Sequence, residues 1–185
     1  MALMILKLKK KGNNMNDIIE TIEYKNYKIQ VCYDTYPDDP RNWDNAGFMA
    51  CFHKRLNLGD KHNFNEPQDL IDWIEANKDK IYYLPLYTYE HGNITISTNP
   101  FSCRWDSGQV GFIYITKEKA KAEGITEPYE ALEAETKEYD YYLRGDTYGV
   151  RILDSEGEML DSQFGYLGDR QIAINDAEGM IDTYN

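Results

Sequence analysis

Cys103, in the segment Pro100-Phe101-Ser102-Cys103, and His91, twelve residues upstream, are the two residues whose types and spacing come nearest to nucleophilic catalysis. A thiolate forms at neutral pH only where an imidazole or another positive influence lowers its pKa, and His91 on a turn is placed to reach it. Asp106 or Glu90 would then orient the ring. A single Cys and a single His with no local signature around them are a weak motif, however. The expectation from the residues alone is a small side chain buried beside Trp105.

Metal chemistry has two starting points. Cys51 and His53 are two apart on an expected strand, so both face one side of the sheet, and with His62 or Cys103 they could make a soft site. The paired spacings of structural zinc are missing, and His53 is better read as bonded to a carboxylate such as Asp60. Asp154-Ser155-Glu156-Gly157-Glu158 groups hard oxygens, but it lacks the other ligands of a calcium loop and reads as a hairpin turn. Asp44 and Asp106 could work as an acid and base pair only if the fold brought them together; each is explained by capping its own turn. No metal and no cofactor is required by these residues.

The elements that position these groups start from a turn that occurs twice. Trp43-Asp44-Asn45-Ala46-Gly47 and Trp105-Asp106-Ser107-Gly108-Gln109-Val110-Gly111 each run into an apolar, aromatic segment, Phe48–His53 and Phe112–Ile115. Asp followed by Asn or Ser can bond its own backbone, and Gly frees the turn, so both boxes should launch strands. Trp43, Asp44 and Gly47, with Trp105, Asp106, Gly108 and Gly111, are expected to be structural: indoles buried, each Asp held by backbone N–H groups. Further strands are expected over 27–33, 81–89, 94–98, 149–153 and 158–163. A helix should open near Asn65 with Pro67 in its first turn, a short one after Thr116, and one over 170–184 that Gly179 weakens.

The clearest helix runs over 127–143. Tyr129, Leu132, Thr136, Tyr139 and Leu143 form its apolar stripe, Gly145 stops it, and Glu127, Glu130, Glu133, Glu135, Glu138 and Asp140 fill the other faces. Antiparallel strands with inserted helices give an α+β fold, mainly antiparallel sheet with two or three helices, the longest one acidic. Residues 1–16 read as a flexible tail and 17–185 as a single domain. The apolar start followed by Lys7 to Lys11 is the reverse of a secretory signal, and no window approaches a membrane span.

The charge of −12 is lopsided: residues 118–185 hold 17 acidic against 6 basic residues and so account for −11 of it. Such a field disfavours direct contact with nucleic acid or anionic lipid and favours a basic protein surface. Sixteen tyrosines against six phenylalanines suit half-wet sheet surfaces and interfaces. Cys32, Cys51 and Cys103 are odd in number and without paired spacing, which argues for reduced thiols in the cytoplasm. Carboxylates spaced a few ångströms apart on a helix can imitate duplex phosphates, with tyrosine as an anchor for Arg and Lys.

The run Pro40–Asp60, with Leu84-Pro85-Leu86-Tyr87 and the box Pro100–Gly111, resembles a family of small acidic proteins of phages and other mobile elements. The likeness spans about residues 27–165, and the second box is its most specific part. The resemblance implies a setting, the host-cell cytoplasm, in which small acidic proteins include anti-CRISPR and anti-restriction inhibitors. Combined with the charge pattern, the expectation is an inhibitor that binds the basic nucleic-acid groove of a Cas effector or restriction enzyme. Its contact residues would be Glu127, Glu130, Glu133, Glu138, Asp140, Tyr141, Glu156 and Glu158. The alternatives are a small enzyme using Cys103, His91 and Asp106, and a phage interaction or assembly factor without catalysis. Oligomeric state is not legible.

Overall fold

A computed structural model describes residues 17–103 and 105–184. The expected tail over 1–16 lies outside the described residues. In chain order the elements are β1 (Ile18–Tyr24), β2 (Tyr27–Tyr33), a 3-10 turn (Pro40–Asn42), β3 (Phe48–Cys51), α1 (Pro67–Asn77), β4 (Ile81–His91), β5 (Asn93–Ser97), β6 (Ser107–Thr116), α2 (Lys117–Ala122), α3 (Pro128–Arg144), β7 (Thr147–Leu153), β8 (Met159–Leu167) and α4 (Arg170–Asp182). The four helices and eight strands among the described residues form an α+β fold with two antiparallel sheets. The described residues form two compact units: those up to Thr35 with those from Tyr148 on, and those of Tyr36–Thr147.

The first unit is a sheet in the order β1-β2-β7-β8 with α4 against it. Lys25 and Asn26 both take positive φ, 48° and 67°, the geometry a two-residue hairpin between right-twisted strands demands. Alternate residues Ile29 and Val31 of β2, with Val150 and Ile152 of β7, turn to one face and bury against Ala173, Ile174, Ala177 and Ile181 of α4. The β7–β8 connection is a hairpin turn. Asp154 Oδ1 accepts from the N–H groups of Glu156 and Glu158, each at 2.9 Å, so this carboxylate caps its own turn.

The second unit carries the order β3-β6-β4-β5 with helices on both faces. Met49, Leu86, Ile96, Ile113 and Ile115 pack under Leu132 and Tyr139 of α3. The opposite parity, Ala50 and Ile81 flanked by Phe48, Phe112 and Tyr114, meets Leu70, Ile74 and Trp73 of α1. Buried on both faces, these strands lose the simple alternation of a half-wet sheet.

Helix ends follow local chemistry. The cap of α1 is Glu66, not Asn65: Glu66 and Asp69 form a reciprocal capping box, and Pro67 takes the first turn. Thr116 caps α2 by accepting from Lys119 N–H at 3.1 Å, and Gly145 closes α3 in the left-handed region at φ 76°. In the stripe of α3, Leu132, Thr136 and Tyr139 are buried. Tyr129, expected with them, is 50% exposed, its ring edge-on to Tyr82. Among the described residues no helix is long and apolar enough to cross a membrane.

Candidate functional site

The first tryptophan box is tied down by a buried ion network that its spacing does not announce. Arg41, its side chain 3% exposed, donates from Nε and Nη2 to the two oxygens of Asp60 (3.1 and 2.7 Å), from Nη1 to Glu135 Oε2 (3.0 Å) and from Nη2 to the Gly47 carbonyl (2.8 Å). Glu135 returns the contact: its Oε1 accepts from the N–H groups of Ala46 and Gly47 at 2.7 and 3.0 Å. Asp60 Oδ2 also accepts from Met49 N–H at 2.7 Å. Burial disfavours the Arg41 charge, but the hydrogen bonds and fields of Asp60 and Glu135 outweigh it and hold the guanidinium above its ordinary pKa. A buried cation with its donors matched is a scaffold feature, because losing either partner strands a charge.

Glu135 lies three residues after Leu132 and four before Tyr139, on one flank of the buried stripe, but Glu133, four after Tyr129 and three before Thr136, lies on the other flank, so spacing alone does not pick Glu135 out. Arg41 and Asp60 have no signal in spacing either.

Both indoles depart from expectation. Trp105 is 96% exposed and Trp43 44%. The expected caps differ as well. Asp44 is exposed, and the turn is bonded through Asn45, whose side-chain amide donates to the carbonyls of Pro40 (2.8 Å) and Trp43 (3.0 Å). The Asp106 carboxylate accepts from the Cys103 thiol at 3.7 Å, while its carbonyl accepts from Glu90 N–H at 2.9 Å. Of the box glycines, Gly47 and Gly111 are scaffold. A Cβ on Gly47 would lie 2.5 Å from Leu132 Cδ2, and one on Gly111 would run into the Ala50 carbonyl; at Gly108 it would meet nothing within 4 Å.

Trp105, Asp106 and Gln109 form one wall of an open groove of about 530 Å³, and His53 and Arg55 form the other, with Glu90 between. The far wall is well ordered by its bonds. His53 Nδ1 accepts from Leu56 N–H (3.1 Å) and Arg55 N–H (3.3 Å), so the proton belongs on Nε2, which donates to Glu90 Oε1 at 2.8 Å. Arg55 takes the other Glu90 oxygen. These hydrogen bonds, His53 first and Arg55 second, hold the Glu90 carboxyl below its usual range. The carboxylate partner of His53 is therefore Glu90, and Asp60 is engaged by Arg41.

The candidate nucleophile is near the candidate base, but in the wrong order. Asp106 Oδ2 stands 3.7 Å from Cys103 Sγ and 4.0 Å from His91 Nδ1, so the carboxylate lies between thiol and imidazole. A working triad needs the imidazole in the middle, facing the nucleophile. His91 is 78% exposed in its side chain and stacks on Tyr89. Cys51, buried, is pushed up to about 12 by desolvation, which makes it an inert thiol. His62 gives Nε2 to the Cys51 carbonyl at 3.0 Å, and its Nδ1 is buried without a partner. Among the described residues no three His, Cys, Asp or Glu side chains are grouped to hold a metal ion.

The acids of α3 divide into two sets. Glu135 and Asp140 are turned inward; Asp140, 14% exposed, accepts from the Thr95 hydroxyl and from Ile96 N–H (2.8 Å), fastening β5 to the helix. Asp140 is thus corrected from a contact residue to an internal tie. Glu127, Glu130, Glu133 and Glu138 are exposed and, among the described residues, make no ion pair. Partial burial, then Glu135, raises the Glu138 carboxyl, with Arg41 opposing. Lys137 interrupts the array, its ammonium 5.7 Å from the ring of half-buried Tyr141. Glu156 and Glu158 are exposed on the β7–β8 hairpin, in the other compact unit. No protein-family model, curated protein or solved structure matches the chain. The mobile-element setting therefore rests on the sequence boxes alone.

Proposed function

We propose that the protein works by binding, as a mobile-element inhibitor that occupies the cationic nucleic-acid groove of a host defence protein, a Cas effector or a restriction enzyme. The observation that carries this reading is the sorting of carboxylates on α3. Those the fold needs are bonded inside, and Glu127, Glu130, Glu133 and Glu138 are left exposed without ion pairs. A folded helix holds the backbones of these carboxylates in a fixed array, so only their side chains remain to be ordered on meeting Lys and Arg, and no intramolecular ion pair has to be broken first. The thiol–carboxylate–imidazole order at Cys103 places a carboxylate rather than the imidazole against the thiol, so no observation favours the enzyme reading over this one.

The test is made in cells. A bacterium carrying a CRISPR or restriction system and expressing this protein is challenged with a phage that the system targets. Plating of the phage should recover by orders of magnitude, and the combined variant Glu130→Lys, Glu133→Lys, Glu138→Lys should lose that recovery while still accumulating as folded protein. Recovery that survives the reversal would refute the acidic-groove mechanism.

A further inference from the structure

The groove beside Trp105 is also an unfinished piece of sheet. Ser107–Gln109 of β6 pair with Tyr87–Tyr89 of β4 on one side. On the other side β3 stops at Cys51, opposite Gly111, and Phe52 N–H donates to the Val110 carbonyl at 2.7 Å before the chain leaves the line of the strand. The bonds of His53 Nδ1 to Arg55 and Leu56 N–H fold it away. Val110 is an extra residue in the β4–β6 ladder, where the register shifts between Leu86 and Tyr87. A bulge of this kind ends pairing and re-aims an edge. Beyond it lies a three-residue edge with space above Gly108, where an added Cβ would touch nothing within 4 Å. An edge of this kind is a template for another strand.

We propose that this groove takes an extended, arginine-bearing peptide segment, which adds to β6 at Ser107–Gln109 in line with β3 and lays a guanidinium against the Trp105 ring and the Asp106 carboxylate. An exposed indole beside a carboxylate selects the occupant at the Trp105 wall, while Lys54 and Arg55 stand on the opposite wall. Both Glu90 oxygens are already used by His53 and Arg55, so Asp106, 46% exposed, is the carboxylate open to an incoming cation. An indole is the best aromatic face for a guanidinium. That the segment belongs to the protein engaged by α3 rests on the inhibitor reading; the chemistry of the groove does not.

The probe is a capped heptapeptide alternating valine and arginine, titrated into the isotope-labelled full chain and followed by NMR. Amides of Ser107, Gly108 and Gln109 and the Trp105 indole should shift, and exchange should slow at Ser107 and Gln109, whose amides face away from β4. Replacing arginine by citrulline, or Trp105→Ala, should each weaken binding about tenfold or more. Backbone N-methylation of the peptide should abolish it, since ladder hydrogen bonds supply the affinity. The Glu130→Lys, Glu133→Lys, Glu138→Lys variant should bind the peptide within about threefold of the unaltered chain, which separates this site from the α3 mechanism. Shifts confined to α3, no binding at millimolar peptide, or an oligothymidine that stacks on Trp105 while the peptide does not, would each overturn the proposal.

Discussion

Trp43 and Trp105 open nearly the same sequence of turn residues, yet the first box is fastened to a helix almost ninety residues away and the second carries its indole into solvent. Glu135 holds the N–H groups of Ala46 and Gly47, and Arg41 holds the Gly47 carbonyl. The turn of the second box has short-range ties: Glu90 N–H to the Asp106 carbonyl, and the Ser107 hydroxyl to the Cys103 carbonyl. Only its far end, at Gly111, is packed against the Ala50 backbone. Turn chemistry therefore sets the local path of the chain, and long-range partners decide how firmly the box behind the indole is fastened; both indoles themselves stay outside the core.

The sharpest way to break that contrast is to remove the guanidinium at the centre of the first box's clamp. Arg41→Ala should destabilise the Tyr36–Thr147 unit by about 3–5 kcal/mol, because it leaves Asp60 and Glu135 as uncompensated, largely buried carboxylates. Trp105→Ala should change stability by less than about 0.5 kcal/mol, as surface substitutions do. Denaturant titrations of the two variants measure both, and equal losses would erase the difference between the boxes.

Glycines sharpen it at single-atom scale. Gly47→Ala must displace Leu132 and should cost about 1–3 kcal/mol, the range for overpacking, whereas Gly108→Ala has room and should be near neutral. Thermal melts of the pair decide this.

The two regions should also part company with pH. Cys51 and Tyr139 are both pushed up to about 12, each by burial first; the N–H of Gly59, which donates to the Tyr139 phenol oxygen at 3.0 Å, opposes the shift at Tyr139. Folded values above the unfolded ones mean a contribution fully present below about pH 9 and lost as pH rises toward 12. The slope is at most about 1.4 kcal/mol per pH unit for each group. Cys51→Ala should flatten the loss that begins near pH 9. Glu90 behaves oppositely: its lowered value makes its hold on His53 and Arg55 present at neutral pH and lost in acid, as pH falls through its folded value. Acid should therefore loosen the groove wall, and alkali the frame around the first box. The smallest effect is optical. Trp105→Phe should remove the most red-shifted, most acrylamide-accessible part of the tryptophan emission, with Trp43→Phe removing less.

Much of the fold was legible because it is local. The Thr116 cap, the Gly145 stop and the Leu132, Thr136, Tyr139 stripe all follow from neighbouring residue types, whereas β1 and its Lys25–Asn26 hairpin are absent from the expected elements. The site was legible in part. Glu130 and Glu138 point outward because helical spacing puts them opposite the stripe. Glu133 and Asp140 both lie on its flank, and it is the partners Thr95 and Ile96, not spacing, that turn Asp140 inward; the exposure of Trp105 likewise leaves no trace in spacing.

The central claim, binding of a cationic groove by the exposed α3 carboxylates, is tested most directly by binding of the labelled protein to the purified effector that it inhibits, measured without nucleic acid across a salt series. The affinity should weaken at least about tenfold between 50 and 200 mM salt, and Glu130→Lys, Glu133→Lys, Glu138→Lys should abolish binding at every salt concentration. Binding that is indifferent both to salt and to the triple reversal would contradict the account.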